Sequence, residues 1–427
     1  MVQAPALGVR LRSNDVGPSL SAGQQDGRLQ VLILGDYLPY PNGMAIVSRA
    51  RLVARALHDA GVAVRVLNLQ PVDRLPRVEN TVVRGVHLGI PFEYACGTTV
   101  RHESFVVRRL IAAWGWVNGA LRLVQLRRQG LLDLVLLWFW TPRPALRLLF
   151  FVTLLRLLRV PVVREVNESP WSQREDATLV ERLWSPLAGT AGAMTISESL
   201  HDWAIAEYGR HPGACVIDVP ILVDVHEHKP DDYPTGNPLV VFAGSPDYRA
   251  TIEFIFAAME EVWRKHPECR LAVTGASPDD PRADWLWAET RRPEFRNRVD
   301  VVGYLDRAEL LGLYGRAHAL LIPLFDDQRS RARFPTKIGE YLAAARPVVT
   351  NAVGEIRLHF ADGVDAVVCP PDDPVVFGRA IIELLSDPVR AELIGRRGRK
   401  VAEARFHYAR HGKRMARALA EIVEARR

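Results

Sequence analysis

Cysteine is scarce in this 427-residue chain and follows no pattern. Cys96, Cys215, Cys269 and Cys369 lie far apart and form no CxxC pair. That spacing argues against a disulfide frame or a zinc site and points to a reducing, cytoplasmic setting. Residues 1–28 are rich in Gly, Ser, Gln and Pro and lack an apolar run long enough for a signal peptide, so they read as a disordered tail. No GxGxxG follows the first apolar run, which disfavours a dinucleotide cofactor. No helix-turn-helix, RNP or finger pattern supports a nucleic-acid partner. Neither sign of charge is in large excess: 55 Lys and Arg face 49 Asp and Glu, a net +6. The basic side is mostly arginine, a residue suited to phosphate groups of nucleotides or lipids.

A hydrophobic fraction of 48% and a charged fraction of 24% are those of an ordinary globular protein. The length exceeds one typical core and suggests two domains of about 200 residues. From Gln30 the chain reads as a buried strand, a turn at Pro41-Asn42-Gly43, an amphipathic helix and, after Gly61, a second strand. This β-α-β unit opens a doubly wound domain whose ligands gather at the carboxyl ends of parallel strands. Gly43 would let a ligand approach the backbone, although such turns also need glycine for geometry alone. The stretch from Asn237 to Pro267 repeats the logic, with Gly244 and Ser245 expected to face a cleft and Arg249 near a helix start. Pro, Gly, Asp and Asn cluster between Val223 and Pro238, where the domain boundary belongs. The expected division is a tail over 1–28, a first domain over 29–225, a second over 226–405 and a terminal helix over 406–427.

Between residues 100 and 163 the chain is rich in arginine and leucine. A long basic helix bearing Trp114 and Trp116 is expected there, then a strand, then a helix too short and too interrupted by Arg147 and Arg156 to span a bilayer. These helices cover a sheet, and a basic, aromatic part of their surface is a candidate for contact with anionic lipid. Beyond the strand VPVVREV, the polar cluster Asn167-Glu168-Ser169-Pro170 ends a strand. Glu165 and Glu168 are candidates there for catalysis or acceptor binding, with loop capping as the alternative.

The organising stretch is Arg329–Glu355. It reads as a basic loop, a helix starting at Pro335-Thr336 and running KIGEYLAAA, and a strand after Arg346-Pro347. On that helix Lys337, Glu340 and Tyr341 share a face. The helix amino end, with Lys337 and Arg333, would favour an anion, and Glu340 is an acceptor suited to the paired hydroxyls of a ribose. A surface helix with a weak Lys337–Glu340 pair is the alternative. Asp326 and Asp327 have no further ligands beside them and are not read as a metal site. Asp280 to Arg298 reads as an exposed insertion.

The segment FPTKIGEYLAAARPVV followed by VGE resembles the donor-binding segment of family 4 glycosyltransferases of polysaccharide biosynthesis. The likeness covers about Gln30 to Arg427. It implies an α/β fold of the GT-B kind, two Rossmann-like doubly wound domains facing across a cleft, and a nucleotide-diphosphate sugar as donor. The acceptor it implies is lipid-linked or saccharide, with retention of configuration, no metal and no cofactor. Cysteine usage and the basic surface together place the expected location in the cytoplasm or, peripherally, at the inner face of the plasma membrane. Donor contacts would come from Arg333, Phe334, Pro335, Thr336, Glu340 and Tyr341, and Gly303 and Tyr304 would line the base pocket. Lys337 and Arg249 would be the diphosphate cations, and Asn42 and Gly43 would form the loop between donor phosphates and acceptor. The chain departs from the family at Ala332, which stands where a sugar-binding glutamate is usual, at Ser245 in place of an arginine, and at Asn167 in place of a histidine. Those departures keep a catalytically silent partner of the same fold in view, alongside a sugar-nucleotide epimerase.

Overall fold

The computed structural model describes residues 27–43, 45–75, 78–139, 146–168, 185, 187–209, 214–229 and 232–426. The tail over residues 1–26 and the pair Ser169-Pro170 lie outside them. The first apolar run forms β1 (Gln30–Gly35), buried at every position, as expected of a strand covered on both faces. It pairs in parallel with β2 (Ala63–Asn68), reached through helix α1 (Ala45–Asp59). The antiparallel pair β3 (Arg84–His87) and β4 (Ile90–Tyr94) closes one edge. On the other side lie β5 (Leu134–Trp138), β6 (Val162–Val166), β7 (Gly192–Thr195) and β8 (Cys215–Asp218), giving the order β3-β4-β2-β1-β5-β6-β7-β8. Helices α2 (Phe105–Arg128) and α3 (Leu146–Leu157) lie side by side over the face bearing Leu32, Leu34, Val135 and Leu137. Helix α4 (Glu198–Tyr208) follows β7 and is capped by Ser197, whose side chain accepts from the Leu200 N–H.

The second sheet is parallel throughout: β9 (Leu239–Ala243), β10 (Arg270–Thr274), β11 (Val299–Val301), β12 (Ala319–Ile322), β13 (Val348–Asn351) and β14 (Val367–Cys369), in the order β11-β10-β9-β12-β13-β14. Its connections include α5 (Arg249–Lys265), α6 (Arg307–Arg316), α7 (Gln328–Ala332) and α8 (Lys337–Ala343). Two expectations are corrected. The basic loop before the organising helix contains a helical turn, α7, capped by Asp327, whose carboxylate accepts from the Ser330 N–H at 2.7 Å. The stretch Asp280–Arg298 is not a solvated insertion, because Leu286 and Phe295 are buried and Phe295 stacks on Phe256.

The last helix, α9 (Gly412–Glu424), crosses back to the first sheet, where Met415, Leu419 and Ile422 share a core with Val31 and Ile33. The crossing is pinned where Val223 N–H donates to Phe406 O at 2.9 Å and Tyr408 N–H donates to Val223 O at 3.0 Å. A further core mixes Val166, Ile196 and Leu200 of the first half with Val241, Ile338 and Leu342 of the second, so apolar burial couples the two sheets. Among the described residues no helix is long and apolar enough to cross a membrane.

Candidate functional site

The second sheet ends toward the first domain in three glycines, Gly244 after β9, Gly275 after β10 and Gly303 after β11. Gly275 N–H donates to Gly303 O at 3.1 Å. Gly275 has a φ of +82°, and a Cβ added there would stand 2.7 Å from the Gly244 carbonyl oxygen. No side chain fits, and the three strand ends are drawn together. Sequence reading passed over Gly275, although the strand-then-glycine pattern AVTGA matches that of FAG at Gly244. An added Cβ at Gly303 would meet open space, and Tyr304 beside it is 38% exposed. Ser245 Oγ donates to Asp247 Oδ2 at 2.9 Å and accepts from the Asp247 N–H, a small closed turn.

Tyr341 is corrected from ligand contact to anchor. It is fully buried, and its hydroxyl accepts the Ala243 N–H at 2.8 Å, which seats α8 against the end of β9. Phe334 is corrected likewise: it is 2% exposed and stacks on His359 at 5.0 Å, packed with Phe360 and Phe406. Pro335 and Thr336 are half-buried at the start of α8. Two of the donors expected at the amino end of α8 are already engaged. Thr336 provides no side-chain cap, Ile338 N–H donates to Pro335 O at 3.1 Å and Gly339 N–H to Thr336 O at 3.2 Å.

The charge at this place comes instead from side chains. Glu340 Oε1 accepts from Arg307 Nη1 at 2.6 Å, and Arg307 Nη2 reaches Glu227 Oε2 at 2.7 Å. Glu227 Oε1 in turn lies 3.3 Å from Arg51 Nη2 on α1. This chain of charges runs from the second domain through the linker to the first. Burial alone would push the Glu340 carboxyl up, but Arg307 and Lys337 overcome it and hold it below the usual range. Burial lowers the Lys337 ammonium, with Glu340 opposing. Burial also pushes His228, which faces Glu340 and Arg307, down to about 4, so its ring is neutral near pH 7. Arg307 escaped sequence reading. The signal was the capping box Asp306–Glu309, which sets Arg307 at the first position of α6.

The opposing wall belongs to the first domain. Glu168 is half-buried beside Asn167 and forms a two-bond pair with Arg333, 2.7 Å to Nε and 2.5 Å to Nη2. Two residues expected to meet ligands from opposite domains therefore meet each other. Ser197 Oγ donates to the carbonyl of Ala332, itself 2% exposed, at 2.8 Å, and Glu198 N–H donates to Glu355 Oε1 at 2.8 Å. Glu165 is corrected: it is buried against Arg49 at 2.5 Å, and Arg49 also donates to Pro220 O and Val219 O, so this pair ties α1 to β6 and β8 rather than facing an acceptor. Arg249 already has a partner, Glu253 at 2.8 Å, and lies over the Trp285 ring at 5.1 Å, so its charge is satisfied on α5. Asn42 is held to a neighbouring loop, its N–H donating to Asn80 Oδ1 and its carbonyl accepting from Asn80 Nδ2. Beside it a Cβ on Gly43 would come within 2.8 Å of Val47 and 2.9 Å of Pro39. Asp326 pairs with Arg331 at 2.8 Å.

Two domains built on mainly parallel sheets, joined at the loops after their strand ends and clasped by a returning C-terminal helix, make this a GT-B protein. Structural likeness bears this out: sucrose-phosphate synthase from Thermosynechococcus elongatus superposes with a TM-score of 0.70 at 18% identity, over 93% of this chain and 100% of that one. Anabaena HepE in complex with UDP and glucose gives 0.64 at 15% identity, over 92% and 99%. Residues 237–387, about a third of the chain, match the family described as Glycosyl transferases group 1. Glycogen synthase from Mycobacterium tuberculosis is 28% identical over 174 residues, 41% of this chain and 40% of the synthase. The chain therefore aligns with less than half the length of that relative.

Proposed function

We propose that the protein is a glycosyltransferase, moving a sugar from a nucleoside-diphosphate sugar held on the second domain to a hydroxyl of a saccharide or lipid-linked acceptor presented from the first. The observation that carries this reading is the Ala243–Tyr341 hydrogen bond, which seats the helix bearing Lys337 and Glu340 against the glycine-lined strand ends of a group 1 domain. Glu340 has one oxygen on Arg307, and we assign its other oxygen to the hydroxyls of the nucleotide pentose. Lys337 and Arg333 are the cations assigned to the diphosphate, Arg333 after release from Glu168, and Arg249 is a further candidate whose Nε is held by Glu253.

In the transfer, the acceptor oxygen bonds the anomeric carbon as the bond to the diphosphate oxygen breaks. The electron pair leaves with the diphosphate, and the acceptor proton passes to it or to solvent. Cations fixed where that charge develops are worth on the order of a hundredfold in rate for each one removed. With side chains supplying this charge, we take the reaction to be metal-independent. It proceeds with retention, as the family resemblance implies, at the cytoplasmic face of the membrane.

A second reading, a partner that binds nucleotide without turnover, is favoured by Ala332, which offers no carboxylate to a donor sugar and has its carbonyl taken by Ser197. Incubation with UDP-, GDP- and ADP-sugars separates the two. Release of nucleoside diphosphate in the presence of acceptor supports transfer. Tight binding with no release from any saccharide or lipid-linked acceptor selects the silent partner. Failure to bind any nucleoside diphosphate overturns both.

A further inference from the structure

Between Glu103 and Glu165 the chain holds ten arginines and a single acid, Asp133, whereas the whole protein is only +6. The remainder therefore carries a small net negative charge, and the excess sits on α2, α3 and their flanks. Gly115 and Gly119 turn toward Leu69, so α2 lies close on the sheet with a fixed inner face. Its outer face carries Val106, Leu110, Trp114, Val117 and Leu121, spaced by three or four residues and each more than half exposed. Beside it α3 presents Leu146, Leu149, Phe150 and Leu157 at the same helical spacing, also exposed. These two adjoining stripes are far more apolar surface than scattered exposed residues would make.

Arginine borders them. Arg109 lies over the Phe105 ring at 4.9 Å, and Arg108 donates to the carbonyls of His102 and Glu103. Among the described residues no carboxylate pairs with Arg108, Arg109, Arg128, Arg156 or Arg159. Both helices begin at the carboxyl-terminal edge of the sheet, the edge on which Glu168 stands, and run away from it. A flat surface laid on the stripes therefore passes alongside the mouth of the candidate site.

We propose that the outer face of α2 and α3 is a docking surface for an anionic bilayer, the apolar stripes entering the acyl boundary and the arginines meeting lipid phosphates. A second copy of the chain is a poor occupant, because the same face would set like charges against one another. This deepens the transferase reading by specifying how a lipid-linked acceptor reaches the cleft, and it rests on that reading only for its purpose.

The test is flotation of the full chain with vesicles of phosphatidylglycerol and phosphatidylcholine, against phosphatidylcholine alone, at low and high salt. Strong partition onto the phosphatidylglycerol vesicles is expected, weakened by salt. The combined variant Leu110→Gln, Trp114→Gln, Phe150→Gln should lose partition at least tenfold while keeping its circular dichroism and its melting temperature. Arg109→Gln with Arg128→Gln and Arg156→Gln should abolish the preference for phosphatidylglycerol. Equal partition onto both vesicles, none onto either, an unaffected apolar variant, or self-association through this face overturns the proposal. UDP binding is measured on the same samples. Protein that binds UDP but ignores vesicles loses the docking surface and keeps the transferase reading, and the converse result separates them the other way.

Discussion

Replacing Glu340 by glutamine keeps its size and removes the charge that Arg307 and Lys337 share. Two consequences of different size follow. For stability, Arg307 retains Glu227 at 2.7 Å, and its side chain is 37% exposed, so solvent absorbs part of the loss. The cost is about 1–2 kcal/mol, well under that of breaking a fully buried pair. For donor binding, a charge-assisted hydrogen bond to the pentose is worth about 1.5–3 kcal/mol, which corresponds to a loss of roughly 10- to 150-fold in affinity. The assay is titration calorimetry with whichever nucleoside diphosphate gives the largest thermal shift. Arg307→Gln should weaken binding less, since Arg307 only orients the carboxylate. The double variant should be no worse than Glu340→Gln alone, because residues acting through one group are not additive. If the two losses sum, Arg307 meets the ligand independently and does not act only by positioning Glu340. If Glu340→Gln leaves affinity unchanged, the pentose assignment falls.

Tyr341→Phe leaves the Ala243 N–H buried without its acceptor, at a cost of about 1–3 kcal/mol. A fall in melting temperature should accompany weaker nucleotide binding, and an unshifted melt would show that α8 is held otherwise. Asp36 is buried beside Arg147, and burial raises its carboxyl to about 6. Its folded form thus holds a proton that the unfolded chain releases near 3.8, and stability is lost as pH rises from 4 to 6, by up to about 3 kcal/mol. His228, lowered to about 4, acts oppositely: the unfolded chain takes up a proton below 6.5, so stability is lost as pH falls toward 4. Asp36→Asn should therefore unmask a decline on acidification that denaturant titrations of the unaltered protein conceal, and a flat profile for this variant would refute the pairing. Glu168→Gln removes the charge that holds Arg333 across the cleft. Both side chains are partly exposed, so the stability cost is about 1 kcal/mol or less, but small-angle scattering should show a larger radius of gyration without nucleotide. An unchanged radius would mean that Ser197–Ala332 and Glu198–Glu355 suffice to hold the domains.

Much of this architecture was legible from local pattern. The apolar runs of β1 and β5 are buried at every position, and a strand covered on both faces writes itself as a nearly uninterrupted apolar stretch. The Lys337–Glu340 spacing and the glycines that end strands were visible for the same reason: helical period and backbone freedom are properties of a few neighbouring residues. What a short helix turns inward was not. Tyr341 and Phe334 carry the same letters whether they face a ligand or a core, and only the position of Ala243 and of His359 decides.

The sequence by itself determined two doubly wound domains, their order, and the presence of a cation and a carboxylate on one helix near a glycine-lined edge. Only the tertiary structure decided which charges meet. Arg333 finds Glu168 across 165 residues, Arg307 links Glu340 to Glu227, and Arg49 withdraws Glu165 into the interior. Such pairings depend on the packing of two sheets against each other. Because Coulomb energies between partners vary with their separation and burial, no reading of local spacing can supply them.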